Sequence, residues 1–454
     1  MSVEIDYRNV LACAHQQALE YVEGIADRRV TPDADDIARL VAFDEPLSEA
    51  PRDPVETLRL LHRAGSPAAM ATAGGRFFGL VTGGALPVAV GANWMATAWD
   101  QVALNGVIAP SAQKLEDVAT GWLLDLLGLP SAASVGYVTG TSMAHFTCLA
   151  AARGELLLRQ DHDVVARGLR DSPPLRILVS DDIHISITKT LTLLGFGVQQ
   201  IERLPADRQG RIRAERLPKL DASTLLVCQA GNVNGGSFDP FEEICAAARA
   251  AGAWVHVDGA IGLWAAASPA LRHLTRGMEA ADSWTTDTHK WLNTPYDCGL
   301  AICRHPAAVE RAMSLYTDYL AIGGRSVTLP FLVPEMSRRA RGVDVWAALR
   351  TLGRRGLAEM IDRTCRHAKR FAAGLAEMGL EVLNDVVINQ VVAAPQDGSI
   401  VPDLVRRVQQ SGECWIGPTR WQGREAIRVS VSSWRTEEAD VERSLRAIQL
   451  ALEA

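Results

Sequence analysis

Several features are scarce in this chain of 454 residues, and each absence excludes a class of protein. The eight cysteines are scattered and form no C-x-x-C pair, so the sequence predicts neither a zinc site nor a thiol redox motif. The net charge is only −7, without an acidic or basic tail, which makes nucleic acid and anionic membranes poor partners. Internal repeats and low-complexity segments are also absent.

Long hydrophobic runs are missing as well. The most apolar long stretch, residues 84–99, contains Pro87, Asn93 and two flanking glycines, which is not the pattern of a membrane span. The polar run D-Y-R-N at 6–9 interrupts the apolar residues near the N-terminus, so no secretory signal is predicted. These features lead us to expect a cytoplasmic protein.

The composition favours a large folded core. Hydrophobic residues make up 48% of the chain and charged residues 22%, as in soluble globular proteins. A chain of this length predicts two closely joined domains and a terminal segment. Near-continuous apolar runs predict buried strands at 176–180, 224–231 and 299–303, and helical patterns occupy 143–158 and 241–251.

The most informative stretch runs from residue 282 to 299 and reads D-S-W-T-T-D-T-H-K-W-L-N-T-P-Y-D-C-G. His289 and Lys290 follow a predicted strand, and the stretch has no other lysine or arginine. A desolvated lysine loses proton affinity and becomes a nucleophile. Most lysines are surface charges, so Lys290 alone leaves both interpretations open.

A second motif, V-H-V-D-G-A at 255–260, predicts a buried strand that ends in Asp258. Ligands of open α/β sheets bind at this edge. Lys290 follows 32 residues later, which leaves room for a crossover helix and a return strand. A carboxylate and a lysine at neighbouring strand ends suit pyridoxal phosphate, whose pyridinium nitrogen and aldehyde are met by an Asp and a Schiff-base Lys.

A third motif, G-Y-V-T-G-T-S-M-A at 136–144, predicts a strand, a turn and a helix start. Gly140 allows a close backbone approach, Thr141 and Ser142 offer hydroxyls, and the helix N-terminus offers N–H groups, which together form a phosphate site. An N-terminal cap without a ligand is the alternative.

With three further motifs, these segments resemble, in order, the pyridoxal-phosphate-dependent group II amino-acid decarboxylases, the aromatic-amino-acid and glutamate decarboxylase group. The resemblance covers most of the chain. The matching motifs are A-D-S-W-T-T-D-T-H-K-W-L (281–292), V-D-G-A (257–260), H-I-S-I-T-K (184–189), G-Y-V-T-G-T-S-M-A (136–144), A-P-S-A-Q-K-L-E (109–116) and S-R-R-A-R-G-V-D-V-W (337–346).

The resemblance implies an α/β protein of fold type I, the fold of aspartate aminotransferase. A mostly parallel seven-stranded sheet is expected in a large cofactor-binding domain at 86–335, followed by a small C-terminal α/β domain at 336–454. The helical segment 1–85 is expected to pack on the partner subunit of a homodimer whose active sites lie at the subunit interface.

The resemblance also implies roles for individual residues. Lys290 is expected to hold pyridoxal 5'-phosphate as a Schiff base, Asp258 to pair with the ring nitrogen, and His184 to lie over the ring. A lone histidine is more often structural, which remains the alternative for His184. The other residues expected to bind the cofactor are Gly140, Thr141, Ser142, Asn232, Ala260 and His289.

Two positions in the matching motifs or close to the predicted site depart from the family pattern. Asn232 stands where the family usually has threonine, and Asp287 stands where relatives often have asparagine. A carboxylate beside a phosphate is repulsive unless it points away or binds a lysine or water, so the role of Asp287 stays open.

Substrate contacts are implied less directly. The resemblance places Leu80, Val81 and Thr82 at the substrate mouth, where aromatic-substrate relatives carry bulkier residues. The smaller side chains weigh against assuming an aromatic substrate. The alternative interpretation of this segment is an ordinary loop. Arg428 matches a late arginine of the family and is either a carboxylate clamp or a surface charge.

The third departure concerns a loop that precedes the S-R-R motif. Many relatives carry a tyrosine there that protonates the substrate carbon, whereas this chain has Leu329, Pro330 and Phe331, with tyrosines only at 316 and 319. Relatives with phenylalanine tend toward oxidative deamination.

The predicted function is therefore decarboxylation of an L-amino acid to the amine and CO₂, with no metal. The alternatives are a decarboxylation-dependent aldehyde synthase or a carbon–carbon lyase with the same cofactor, and a non-enzymatic cofactor-binding protein.

Overall fold

A seven-stranded sheet forms the centre of the fold in a computed structural model that describes residues 6–314 and 332–454. The strand order is β1-β7-β6-β5-β4-β2-β3, and only β7 runs antiparallel to its neighbours. The mostly parallel seven-stranded sheet is thereby confirmed. The strands are β1 (Ser134–Val138), β2 (Arg176–Ser180), β3 (Ile201–Leu204), β4 (Thr224–Gln229), β5 (Trp254–Asp258), β6 (Ser283–Asp287) and β7 (Gly299–Cys303).

A second sheet of four antiparallel strands lies in the C-terminal part of the chain, in the order β10-β11-β9-β8. A separate hydrophobic cluster forms between this sheet and three helices in the C-terminal part of the chain. The strands are β8 (Glu381–Val382), β9 (Gln390–Ala394), β10 (Gly417–Trp421) and β11 (Arg424–Ser430).

Helices cover both faces of the large sheet and one face of the small one, as burial of the apolar strands requires. In the described ranges they are α1 (Tyr7–Glu23), α2 (Ala34–Ala38), α3 (Pro54–Leu60), α4 (Ser66–Ala68), α5 (Pro87–Trp99), α6 (Pro110–Leu126), α7 (Thr141–Leu158), α8 (Val164–Arg167), α9 (Ile185–Leu193), α10 (Phe241–Ala251), α11 (Pro306–Met313), α12 (Gly342–Glu377), α13 (Val401–Ser411) and α14 (Glu438–Glu453).

The strands of the large sheet are buried because both of their faces carry apolar side chains. All six residues of β4 are buried, as are all five of β5 and of β6. Polar side chains within these strands therefore lie in the interior, where each needs a hydrogen-bond partner.

The crossover from β5 to β6 differs from the sequence expectation. Three short 3₁₀ helices, Gly262–Ala267, Arg272–Thr275 and Met278–Ala280, take the place of one α-helix. A Cβ at Gly262 would collide with the Ala230 carbonyl, so the turn after β5 lies tight against the neighbouring strand end. This close approach leaves no room for an α-helix directly after Asp258.

The predicted domain boundaries stay predictions. In the described part of the chain, no helix is long and apolar enough to cross a membrane.

Candidate active site

The carboxyl ends of β5 and β6 meet the N-terminus of α7 at one edge of the large sheet. β5 ends at Asp258, β6 ends at Asp287, and α7 begins at Thr141. Lys290 follows β6 by three residues. The sheet topology thus brings together side chains that lie far apart in the sequence.

Asp258 is a buried carboxylate with a polar neighbour at each oxygen. Its Oδ1 accepts the N–H of Ala260 at 3.1 Å, and its Oδ2 lies 3.5 Å from Nε2 of His145. Burial alone would raise the pKa of Asp258, but His145, His184 and the Ala260 N–H together hold that pKa well below its ordinary value. The group is therefore an anion that suits a cationic ring nitrogen.

Lys290 forms an ion pair inside this edge. Its Nζ lies 3.0 Å from Oδ2 of Asp287, and its side chain is one-fifth exposed. Asp287 also accepts the N–H of Thr141 at 2.7 Å and the Thr141 hydroxyl at 2.9 Å. Of the arrangements that the sequence left open for Asp287, the structure has the one in which the carboxylate binds a lysine.

The start of α7 forms a small cradle with the residues around Lys290. A Cβ on Gly140 would lie 3.3 Å from Cε1 of His289 and 3.5 Å from Oδ1 of Asp287, so glycine permits this close packing. The Ser142 side chain is exposed at the helix start. Burial lowers the pKa of His289, whose Nδ1 accepts the Cys298 N–H at 3.2 Å, so this ring is neutral.

His184 follows β2 and caps the start of α9. Its Nδ1 contacts the Ser186 hydroxyl at 2.7 Å and accepts the Ser186 N–H at 3.3 Å. Burial lowers the pKa of His184, which keeps the ring neutral. Because Nδ1 accepts, Nε2 carries the proton and is free to donate.

Asn232 lies buried in the turn after β4. Its Oδ1 accepts the N–H groups of Asn234 and Gly235 at 2.9 and 3.1 Å, and its Nδ2 donates weakly to the Asp182 carbonyl at 3.4 Å. Asparagine at this position shapes its own turn, which threonine would do less well. Ala260 accepts the Asp287 N–H through its carbonyl and ties the two strand ends together.

The segment predicted to form the substrate mouth packs directly against Lys290. Leu80 and Val81 both adopt positive φ angles, 52° and 59°, which are rare for residues other than glycine and most of all for a β-branched one. A Cβ at Gly83 would collide with the Lys290 carbonyl. Val81 and Thr82 are buried, whereas Leu80 is 67% exposed. Such a held backbone is not typical of an ordinary loop.

Arg428 is half-buried on β11. Its guanidinium donates to the Val233 carbonyl at 3.1 Å and to Oδ1 of Asn234 at 3.3 Å. Burial lowers the pKa of Arg428, and none of the ion pairs in the described ranges includes it. A buried guanidinium without a counter-charge suits an anionic ligand.

Phe331 lies outside the described residues, and so do Leu329, Pro330 and the tyrosines at 316 and 319.

Sequence reasoning missed a group of buried polar residues behind Asp258. His145 of α7 contacts Asp258, His256 of β5 and Thr285 of β6. The available signal was the alternation along the strands, which places His256 on the same face as Asp258, and Ser283 and Thr285 on the same face as Asp287.

The profile of the pyridoxal-dependent decarboxylase conserved domain matches residues 69–393. The chain belongs to the pyridoxal-dependent decarboxylase family. It is 25% identical over 415 residues to an aromatic-L-amino-acid decarboxylase of Bacillus atrophaeus, covering 86% of this chain and 84% of that protein. It is 26% identical over 370 residues to a 4-hydroxyphenylacetaldehyde synthase of Rhodiola rosea, covering 75% and 73%.

Among solved structures, a crystal structure of Oryza sativa TDC with PLP and tryptamine superposes with a TM-score of 0.90 at 23% identity. The match covers 100% of this chain and 99% of that one, which shows the fold type I architecture. As a pyridoxal-dependent decarboxylase, the chain is a carboxy-lyase of amino acids, and its cofactor is pyridoxal 5'-phosphate. The family, fold class, activity and cofactor predicted from the sequence are confirmed.

Proposed function

We propose that Lys290, Asp258 and the N-terminus of α7 hold pyridoxal 5'-phosphate for the decarboxylation of an L-amino acid to its amine and CO₂. The observation that carries this assignment is the buried Asp258 at the same sheet edge as Lys290, beside a helix start. The three groups match the three recognition needs of the cofactor, which are a cationic nitrogen, an aldehyde and a phosphate.

When bound, the cofactor supplies an electron-accepting ring that takes up the electron pair of the broken bond at the substrate α-carbon. Asp258 would accept a hydrogen bond from the protonated ring nitrogen and so keep that nitrogen positively charged. Lys290 provides the amine for covalent attachment, and Asp287 holds that amine close to Thr141. His184 offers a free Nε2–H, and its neutral ring can pack flat against an aromatic one.

The substrate carboxylate is proposed to reach Arg428, which forms no ion pair within the residues that the structure describes. Leu80, Val81 and Thr82 then border the entrance, and only Leu80 of the three is exposed. Since leucine and valine offer no charge, the entrance itself selects for no charged side chain.

Replacing Lys290 tests the cofactor assignment. Lys290→Ala is expected to lose both the absorbance of the lysine-linked cofactor and all turnover. Lys189→Ala removes an exposed lysine of α9 and is expected to keep both. A Lys290→Ala protein with full activity would rule out the proposed site.

An aldehyde-forming reaction is the second candidate. Phe331 and its neighbours replace the usual tyrosine, and two relatives of similar identity are a 4-hydroxyphenylacetaldehyde synthase and a phenylacetaldehyde synthase. Product identity separates this candidate from simple decarboxylation.

We also infer a homodimer, with a second copy covering the N-terminal helices. α1 exposes Tyr7 and Leu11, which are 75% and 58% accessible, and α5 exposes Trp94 and Met95 at 44% and 55%. Exposed apolar side chains of this size and number are typical of an interface. Sedimentation should show twice the mass of one chain, and Leu11→Glu should weaken the dimer.

Leu450→Glu, on α14, is the control, because this leucine is also exposed but lies far along the chain from the N-terminal helices. A monomeric wild-type chain at micromolar concentration would contradict the dimer.

A reducing cytoplasm is the proposed location. All eight cysteines are free, and seven of them are buried. Burial raises the pKa of Cys298 and of Cys303 to about 12, so both remain thiols.

A further inference from the structure

A row of buried polar side chains lies beneath α7, behind the proposed ring-nitrogen partner. In the parallel pairing of β5 with β6, His256 is opposite Ser283 and Asp258 is opposite Thr285. These residues are buried, and His145 of α7 lies over them. Buried polar groups without a structural or functional role are costly, so this row calls for an explanation.

The row forms a continuous chain of contacts that begins at a tryptophan. The indole N–H of Trp254 donates to the Ser283 hydroxyl at 3.0 Å, and that hydroxyl lies 2.8 Å from Nδ1 of His256. Nε2 of His256 lies 3.0 Å from Nδ1 of His145, which is also 3.2 Å from the Thr285 hydroxyl.

The tryptophan end favours one direction for the chain, because an indole N–H can only donate. The Ser283 oxygen accepts this hydrogen bond, which leaves its own hydroxyl proton available to Nδ1 of His256. Since Nδ1 of His256 accepts, Nε2 of His256 carries the proton and donates to His145.

The carboxylate end sets the same direction independently. Nε2 of His145 lies 3.5 Å from Oδ2 of Asp258, too far for a well-formed hydrogen bond, and it has no hydrogen-bond partner in the described part of the chain. A lone pair facing a carboxylate would be repelled, so Nε2 carries the proton. Both ends therefore require the same tautomer of His145.

We propose that His145 is a positioning residue that donates Nε2–H to Asp258 and that His256 locks it in this tautomer. The donor chain orients the carboxylate from behind and keeps it ionised toward the cofactor ring. With Oδ1 bound by the Ala260 N–H and Oδ2 beside His145, the remaining lone pairs of the carboxylate would be left for the ring nitrogen of a bound cofactor. The proposal rests on the role of Asp258 in the proposed function.

The burial of His256 agrees with its role as a neutral donor. Burial lowers the pKa of His256 well below its ordinary value, so this ring does not become cationic near neutral pH. Of the titratable groups, His145 of α7 and His184 at the start of α9 act on the pKa of Asp258, and the Asp258 charge acts in turn on His256 of its own strand; Lys290 lies at the same sheet edge. Its neighbours across the sheet, Gln229 and Thr285, do not titrate.

The direct test is nitrogen-15 NMR of the histidines in the full-length chain, first with its cofactor and then stripped of it. The spectra of His145→Gln and His256→Gln identify the two sets of signals. We expect each ring to carry its proton at Nε2 rather than at Nδ1. A proton on Nδ1 of either ring, or a cationic ring at neutral pH, would overturn the proposal.

Two variants test the effect on Asp258. His145→Leu removes the donor, so the pKa of Asp258 should rise, the acidic limb of the kcat profile should move to higher pH, and cofactor affinity should fall on the order of tenfold. His145→Gln keeps an N–H near the same place and should restore most of both properties.

His162→Leu is the matched control, because His162 is also a buried histidine but bonds the Gly168 carbonyl outside this row. If His145→Leu leaves the pH profile and the affinity like those of His162→Leu, the proposal is wrong; if it does not fold, the NMR test and His145→Gln decide. A chain that binds no cofactor would contradict the proposed function, while the tautomers in the cofactor-free chain would still decide this inference.

Discussion

The carboxylate of Asp287 lies 3.0 Å from the Nζ of Lys290 and accepts both the N–H and the hydroxyl of Thr141. It therefore connects the proposed covalent anchor of the cofactor with the proposed phosphate cradle. A carboxylate in this position pairs with the lysine and opposes a second anion at the start of α7.

Asp287→Asn should consequently bind the cofactor more tightly, by about threefold to tenfold, since removing ~1 kcal/mol of repulsion changes a dissociation constant about fivefold. The amide oxygen can still accept the Thr141 N–H. Equilibrium titration of the stripped protein with pyridoxal phosphate measures the change. Asp282→Asn, at the opposite end of β6, is the control and should bind like wild type. Weaker binding by Asp287→Asn would show that its charge supports the site.

Arg428→Lys should raise KM far more than it lowers kcat, because a lysine cannot reproduce the bidentate geometry of a guanidinium. A rise of about tenfold is expected from the loss of one charge-assisted hydrogen bond. Steady-state kinetics measures it. Arg424→Lys changes an exposed arginine on the same strand that pairs with Glu381, and it should leave KM unchanged. Equal KM values for the two variants would return Arg428 to a structural role.

Glu116 and Arg338 form a bidentate ion pair with two bonds of 2.7 Å, and both residues are buried. Glu116→Gln leaves the arginine without its counter-charge and should cost about 3–5 kcal/mol of stability. Denaturant unfolding at a fixed protein concentration measures the loss. Glu359→Gln breaks an exposed pair with Arg363 and should cost less than about 1 kcal/mol. Similar losses in the two variants would contradict a structural role for the buried pair.

Burial raises the pKa of Asp344 to about 6, and its carboxylate accepts a bond from Asn93 at 2.7 Å. The folded chain therefore binds this proton more tightly than the unfolded chain, so stability falls as the pH rises from about 4 to about 6. Asp344→Asn does not ionise and should gain about 1 kcal/mol on wild type between about pH 5 and pH 8. Unfolding midpoints of both proteins at about pH 5 and about pH 8 measure the difference in their stability. A difference that does not change with pH would refute this prediction.

The regular elements and the places of the main candidate residues in the fold could be predicted because their signals are local. The apolar run of β2 and the amphipathic pattern of α10 gave the observed bounds, 176–180 and 241–251. Asp258 and Lys290 could be found because each follows a strand pattern closely. The resemblance to the decarboxylases supplied their roles.

The remaining features depend on contacts between distant residues. His145 and His256 are 111 positions apart, and Glu116 and Arg338 are 222 apart. The last pair also explains two of the matching motifs, 109–116 and 337–346, through packing. The 3₁₀ crossover could not be predicted either, because it follows from the approach of Gly262 to a neighbouring strand end.

Product identification tests the central claim most directly. The purified protein with added pyridoxal phosphate would be incubated with aromatic, acidic, basic and β-hydroxy amino acids, and mass spectrometry and gas analysis would measure amines, aldehydes, ammonia and CO₂. The proposed function predicts amine and CO₂ in equal amounts from at least one substrate, and neither product from Lys290→Ala. Aldehyde and ammonia without amine would contradict it and would assign the outcome of the reaction to the departure at Leu329, Pro330 and Phe331.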